Sequence, residues 1–150
     1  MTAELRMRFL RDEDDLGQLV ATVRSGAYGG TGAAYFSREQ VEKFIQALRE
    51  CPLAADCPPK IEGGRWNKED RSELQECHLR VAVRPFNLRG QLMVLVDLIT
   101  EGHIHVSSDQ QQSVSARFRT EYAELDAFAA ELLSVLDGKR EFAVLPGTEL

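Results

Sequence analysis

Most of the sequence features that identify an enzyme or a metalloprotein are missing from this chain of 150 residues. It has no Gly-x-Ser-x-Gly nucleophile turn, no pair of carboxylates spaced to enter one cleft, and no phosphate-binding loop with its lysine. Its three cysteines and three histidines show no short Cys-x-x-Cys spacing of the kind that holds zinc. These absences predict no catalytic residue, no metal and no cofactor.

The chain also lacks a long hydrophobic run and an excess of basic residues. Its longest aliphatic run, 92–96, is too short to span a bilayer, and its N-terminus has no apolar segment of signal-peptide length. The formal net charge of −6 argues against affinity for nucleic acid or for an anionic membrane. An odd number of cysteines suits a reducing compartment. We therefore expect a cytoplasmic protein that does not contact a membrane and whose average surface does not bind nucleic acid.

What the sequence does contain is alternation of apolar and polar residues, which predicts β-strands. Residues 91–99 are apolar at nearly every position, so we expect a central strand covered on both faces. The segment 26–34 is too rich in glycine for a strand interior and predicts a loop. A short strand at 103–106 is an open alternative. The strands are predicted at 5–9, 19–23, 60–65, 79–84, 91–99 and 114–118.

Two helices are predicted from cap residues and helical periodicity. Ser37 and Gln40 have the spacing of a capping box, and apolar residues follow at helical intervals to about Glu50. Thr120 is the expected N-cap of the second helix, and Gly138 is its expected left-handed stop.

These elements predict the α+β class. We expect a two-layer fold in which a mainly antiparallel sheet of about six strands carries two helices packed on one face. Residues 1–150 are predicted to form one domain, in which 138–150 is a C-terminal tail.

Strand alternation places a set of arginines on the sheet face opposite the helices, around an apolar centre. Methionine and arginine are enriched at protein interfaces, so this face is a candidate partner-binding surface. The alternative is a solvated face whose arginines pair with Glu4 and Glu76 across strands. Two aromatic residues in loops, Tyr28 and Trp66, are further candidate anchors. The predicted residues of the face are Arg6, Arg8, Arg24, Arg80, Arg84, Met93, Leu95, Ile99, Arg117 and Arg119.

Three other groups leave alternatives open. His103 and His105 would share one face of a strand near Asp109, which fits two or three metal ligands but equally fits surface histidines. Asp97 is the one ionisable residue within 91–99, and it is either a covered site residue or a rim residue. Cys77 and His78 are strand neighbours, which point to opposite faces and form no dyad.

The order of the predicted elements between about 16 and 136 is accompanied by a small set of aromatic, glycine and leucine residues. These residues are Tyr28, Gly29, Tyr35, Phe36, Phe44, Leu48 and Gly90. In this order and in these residues the chain resembles a group of small bacterial proteins that includes WapI-type immunity proteins. The resemblance implies a cytoplasmic protein without catalytic residues that neutralises a toxin domain by contact.

The first functional hypothesis is therefore a non-enzymatic protein-binding module, most concretely an immunity protein, that also forms a homodimer through its sheet. The second is a ligand-binding or enzymatic domain with a cleft between 26–36 and the sheet, which predicts a pocket containing Tyr28 and Asp97 or His103. The third is RNA binding on the arginine-rich face, which needs stacking aromatics among the arginines.

Overall fold

The computed structural model describes residues 2–66, 69–70, 72–100 and 110–150. Within these residues, eight strands form one antiparallel sheet accompanied by two helices. The predicted α+β class is therefore confirmed, whereas the predicted number of about six strands is wrong. The elements are β1 (Thr2–Glu13), β2 (Leu16–Ser25), β3 (Tyr28–Ser37), α1 (Arg38–Leu48), β4 (Lys60–Trp66), β5 (Leu74–Pro85), β6 (Gln91–Ile99), β7 (Ser113–Glu121), α2 (Tyr122–Leu136) and β8 (Ala143–Glu149). Across the sheet the order is β3, β2, β1, β8, β7, β6, β5, β4.

The glycine-rich segment predicted as a loop is the edge strand β3, which pairs with β2 along its whole length. Glycine weakens a strand interior, but here close packing requires it. A Cβ on Gly32 would lie 3.0 Å from the Cβ of Leu98 in β6, and a Cβ on Gly30 would lie 2.8 Å from Cγ1 of Val114 in β7. The inward side of β3 thus packs directly on β6 and β7, which lie in the other half of the sheet order. The sheet is therefore curled, and the half that contains β1, β2 and β3 faces the half that contains β5, β6 and β7.

The strand β6 lies inside the sheet between β5 and β7, but only one of its faces is buried. Its inward residues are at most 2% exposed, and the residues that alternate with them are only half-buried. The prediction that both faces are covered is wrong for the part of the chain that the structure describes. The buried row is Leu92, Val94, Val96 and Leu98.

Both helices bury an apolar stripe in the same core as the inward side chains of the strands. The predicted capping box is present: the backbone N–H of Gln40 donates to Oγ of Ser37 at 3.2 Å, and that of Ser37 donates to Oε1 of Gln40 at 2.8 Å. Gly138 has the predicted left-handed conformation, with φ of 74°. The prediction that Thr120 is the N-cap of α2 is wrong, because the N-cap is Glu121. Thr120 belongs to β7 and its Oγ1 donates to the carbonyl oxygen of Pro146 at 2.9 Å.

The region predicted as a tail, 138–150, contains a strand in the middle of the sheet. β8 lies between β1 and β7 and pairs with β1 over six positions, from Ala143 opposite Met7 onward. Ala143 and Leu145 have no exposed surface. A segment of seven residues with few apolar positions is too short and too irregular for its alternation to predict a strand. The strand is recognised only in the folded chain, where β1 and β7 flank it.

Candidate partner-binding surface

The outward side chains of β5, β6 and β7 form a continuous surface, which we name the arginine face. Seven of the ten residues predicted for partner binding on the sheet meet here. Register aligns them in rows, because directly opposed residues of antiparallel strands point the same way. The rows are Arg84, Met93 and Arg119, then Ala82, Leu95 and Arg117, then Arg80, Asp97 and Ser115, with Ile99 beyond them on β6.

The centre of the arginine face is apolar and only half-buried. Met93, Leu95 and Ile99 alternate with the core residues of β6 and stay partly exposed. Arginine side chains on the flanking strands can lay their hydrocarbon stems along such residues while the guanidinium groups remain in water. An apolar centre with an arginine rim has the composition of a protein interface.

Two of the four arginines are paired with acids of the same surface. Nε of Arg80 donates to Oε2 of Glu62 at 2.8 Å, and Nη1 of Arg117 donates to Oδ1 of Asp97 at 3.1 Å. Burial raises the pKa of the Glu62 carboxyl, but the hydrogen bond and charge of Arg80 and a neighbouring lysine outweigh burial, so that pKa lies below its ordinary value. Asp97 is thus a paired, partly exposed acid.

The other two arginines, Arg84 and Arg119, have no carboxylate partner in the described ranges. The side chain of Arg84 is exposed and forms no hydrogen bond with a described residue. Nη2 of Arg119 donates to the carbonyl oxygen of Glu149 at 3.3 Å, and its Nε is buried without an acceptor among those residues. Both flank Met93 in one row. A partner that brought carboxylates to this row would form charge-assisted hydrogen bonds without displacing an existing ion pair.

The remaining predicted arginines, Arg6, Arg8 and Arg24, face outward from β1 and β2. Because the inward sides of the curled sheet face each other, the outward sides of its two halves point away from each other. Arg6 pairs with Glu4 at 2.9 Å, and the guanidinium carbons of Arg6 and Arg8 lie 5.6 and 5.7 Å from the ring centroid of Phe142. The structure does not bring these three arginines to the arginine face.

The predicted aromatic anchors also lie apart. Tyr28, 70% exposed, begins β3, and Trp66, half-buried, ends β4. An open groove of about 720 Å³ runs beside 29–31 and is lined by Arg6 and Arg24 among others, but neither Tyr28 nor Asp97 lines it. His103, the other residue of the pocket that the ligand-binding hypothesis predicts, lies outside the described residues.

A polar cluster that the sequence did not predict lies at one end of β4 and β5. The side chain of His78 is 8% exposed, and its Nε2 lies 2.8 Å from Oε1 of Glu76. Nη2 of Arg65 lies 2.6 Å from Oε2 of the same carboxylate, and Gln111 donates to Oε1 at 2.7 Å. The hydrogen bonds from Gln111 and His78, with the charge of Arg65, outweigh burial and hold the pKa of the Glu76 carboxyl below its ordinary value.

The sequence did contain one signal for this cluster, the adjacent glycines Gly63 and Gly64. The register between β4 and β5 shifts between them, so that His78 is an extra residue on β5 and lies buried beside Leu79. Glycine within a strand indicates such a bulge, and a bulge redirects side chains. Strict alternation, applied without the bulge, assigns His78, Cys77 and Glu76 to the wrong faces of the sheet.

Several other predicted features lie outside the cluster and the arginine face. His103, His105 and Asp109 fall outside the described residues. Within the ranges that are described, no three His, Cys, Asp or Glu side chains gather as metal ligands, and neither helix is long and apolar enough to cross a membrane. All three cysteines are free, and Cys51 and Cys57 are exposed.

Fold and surface together define an α+β protein with a curled antiparallel sheet and an arginine-rimmed apolar face. Comparison with protein-family models, curated proteins and solved structures finds no match to this chain.

Proposed function

We propose that this chain is a non-enzymatic protein-binding module, most concretely a bacterial immunity-type protein that masks a toxin domain with its arginine face. The observation that carries the proposal is the row in which Arg84 and Arg119 flank Met93, with no carboxylate partner for either arginine in the described ranges. The chain as a whole has a formal charge of −6. Two arginines without a carboxylate partner, on one surface of an acidic protein, favour an acidic partner at that surface.

The apolar centre supports a protein partner over a free ion. Leu95 lies between Ala82 and Arg117, and Met93 lies in the next row. Covering these side chains with an apolar surface of similar shape lowers the free energy of the complex, because apolar area leaves water. A dissolved anion would leave them in water. The homodimer expected from the sequence is proposed for this same face. A second copy would cover Leu95 and set the arginines of one chain beside Asp97 of the other.

The cytoplasm is the proposed location. Three free thiols, two of them exposed, suit a reducing compartment better than an oxidising one.

The test measures binding of the full chain to the protein encoded beside its gene, by isothermal titration calorimetry. Arg84→Glu reverses an exposed charge that makes no internal hydrogen bond with a described residue, so the fold should be retained. Leu95→Glu places a charge in the apolar centre. At the centre of an interface Leu95→Glu should cost at least about 2 kcal/mol, which is about 30-fold in Kd. Arg84→Glu, on the rim, should weaken binding in the same direction.

The matched control is Thr31→Glu, which adds a charge at an exposed position of β3 in the other half of the sheet. It should leave Kd unchanged. Sedimentation velocity on the same proteins reports the homodimer, which Leu95→Glu should dissociate. Equal Kd values for wild type, Arg84→Glu and Leu95→Glu would show that the arginine face is not the binding surface. Co-expression with a toxic neighbour should restore growth if the bound partner is a toxin.

A further inference from the structure

The two edge strands of the sheet, β3 and β4, come together without pairing. A Cβ on Gly63 of β4 would lie 3.3 Å from the Cβ of Ala34 in β3, although the strands stand at opposite ends of the sheet order. The gap between them contains a pocket of about 220 Å³, which we name the seam pocket. Its lining includes Gln18, Ala34, Tyr35, Gly64, Arg65 and His78.

The polar wall of the seam pocket depends on the bulge in β5. A Cβ on Gly64 would lie 2.0 Å from the carbonyl oxygen of Glu76, so only glycine allows the register shift that buries His78. Bulges of this kind redirect side chains beside functional sites. Because a carboxylate only accepts hydrogen bonds, Nε2 of His78 is the donor to Glu76, which holds the imidazole ring in one orientation.

The charged group that lines the seam pocket is a cation, Arg65, and no carboxylate of the described residues lines it. Both oxygens of Glu76 are engaged by other side chains, and Glu76 does not line the pocket. Of the three side-chain nitrogens of Arg65, only Nη2 forms a hydrogen bond with a described residue, and Nε is buried without an acceptor. The side chain as a whole is 41% exposed. The hydroxyl of Tyr35 and the amide of Gln18 complete the wall. Arg65 thus keeps N–H groups that Glu76 does not engage, and Tyr35 and Gln18 can donate beside it, a set that suits a negatively charged acceptor.

We propose that the seam pocket binds a small ligand that carries an oxyanion, with Arg65 as the charged anchor and Tyr35 and Gln18 as hydrogen-bond donors. Its volume is smaller than the roughly 300–1,000 Å³ of pockets that hold drug-sized ligands, so the ligand is a small acid. The alanine and glycine walls leave room for it and add little apolar contact. This site lies between β3 and β4 and does not depend on the arginine face.

The test titrates the full ¹⁵N-labelled chain separately with sodium acetate and with inorganic phosphate, and follows the Nε–H signal of Arg65 and the ring signals of His78 by NMR. Sodium chloride at matched ionic strength is the reference. We expect saturable shifts with acetate, phosphate or both, and the comparison of the two distinguishes a carboxylate ligand from a phosphate ligand. Shifts that rise linearly and equal those in chloride for both probes would overturn the proposal.

Three variants locate the binding. Arg65→Gln removes the charged anchor and should weaken binding by about tenfold or more, since hydrogen bonds to charged groups are the strong ones. Tyr35→Phe, at a half-exposed position, should weaken it less and keep the fold. Arg24→Gln, an exposed arginine on β2, is the control and should change nothing. If saturable binding survives unchanged in both Arg65→Gln and Tyr35→Phe, the ligand lies elsewhere and the proposal fails. If Arg65→Gln does not fold, Tyr35→Phe decides alone.

Discussion

Leu145→Ala removes a completely buried side chain from β8, in the middle of the sheet. Truncating a buried leucine costs about 2–5 kcal/mol, depending on how far the surroundings close the cavity. Here β8 is held to β1 over six paired positions, so the backbone has little freedom to move inward. We therefore expect about 3–4 kcal/mol, which is a large part of the about 5–15 kcal/mol that stabilises a typical domain.

The measurement is urea unfolding followed by circular dichroism, with the free energy of unfolding extrapolated to water. Val144→Ala is the matched control, because this neighbour on β8 points outward and is only half-buried. It should cost less than about 1 kcal/mol. In a thermal scan the two variants should differ by about 5–12 °C for a chain of this length. If Leu145→Ala is no more destabilising than Val144→Ala, then β8 does not belong to the core and the end of the chain is a tail.

Two further predictions test the close packing of β3 and the polar cluster around Glu76. Gly32→Val drives a branched side chain into Leu98 and should destabilise by about 1–3 kcal/mol, whereas Thr31→Val, outward on the same strand, should be nearly neutral in urea unfolding. The pKa of Glu76 is lowered in the folded state, so its stabilisation is present above the ordinary value of 4.5 and is lost as pH falls through the folded pKa. The stability difference between wild type and Glu76→Gln should therefore shrink as the pH falls below 4.5; a difference independent of pH would contradict this.

The arginine face was largely predictable from the sequence, since alternation along one strand decides which side chains point the same way. The position of Arg84 and Met93 on the same face follows from the alternation in β5 and β6 and from the turn between these strands. The alternation of Arg6 and Arg24 was equally clear, yet these residues belong to the other half of the sheet. How far apart two residues of one sheet face lie depends on curvature, and a periodic pattern carries no information on curvature.

The polar cluster was not predictable in the same way. Its central residue, His78, is buried because one extra residue in β5 breaks the alternation beside Gly63 and Gly64. The glycine pair marks an irregular strand, but the side chains that the bulge brings together, Arg65 and Gln111, lie 13 positions before and 33 positions after His78. Only the folded chain places them around one carboxylate.

The sequence by itself determined the elements whose stability is local. These include the first hairpin, the Ser37 capping box, the β5–β6 hairpin and the end of α2 at Gly138, each of which depends on residues a few positions apart. The tertiary structure alone decided that β3 and β8 are strands. Gly32 lies in a strand because Leu98, 66 residues later, packs against its bare backbone, and Leu145 is buried because β1 pairs with β8 from the opposite end of the chain. Contacts over such distances override local propensity, because burial and pairing with distant strands outweigh the weak preference of a short segment.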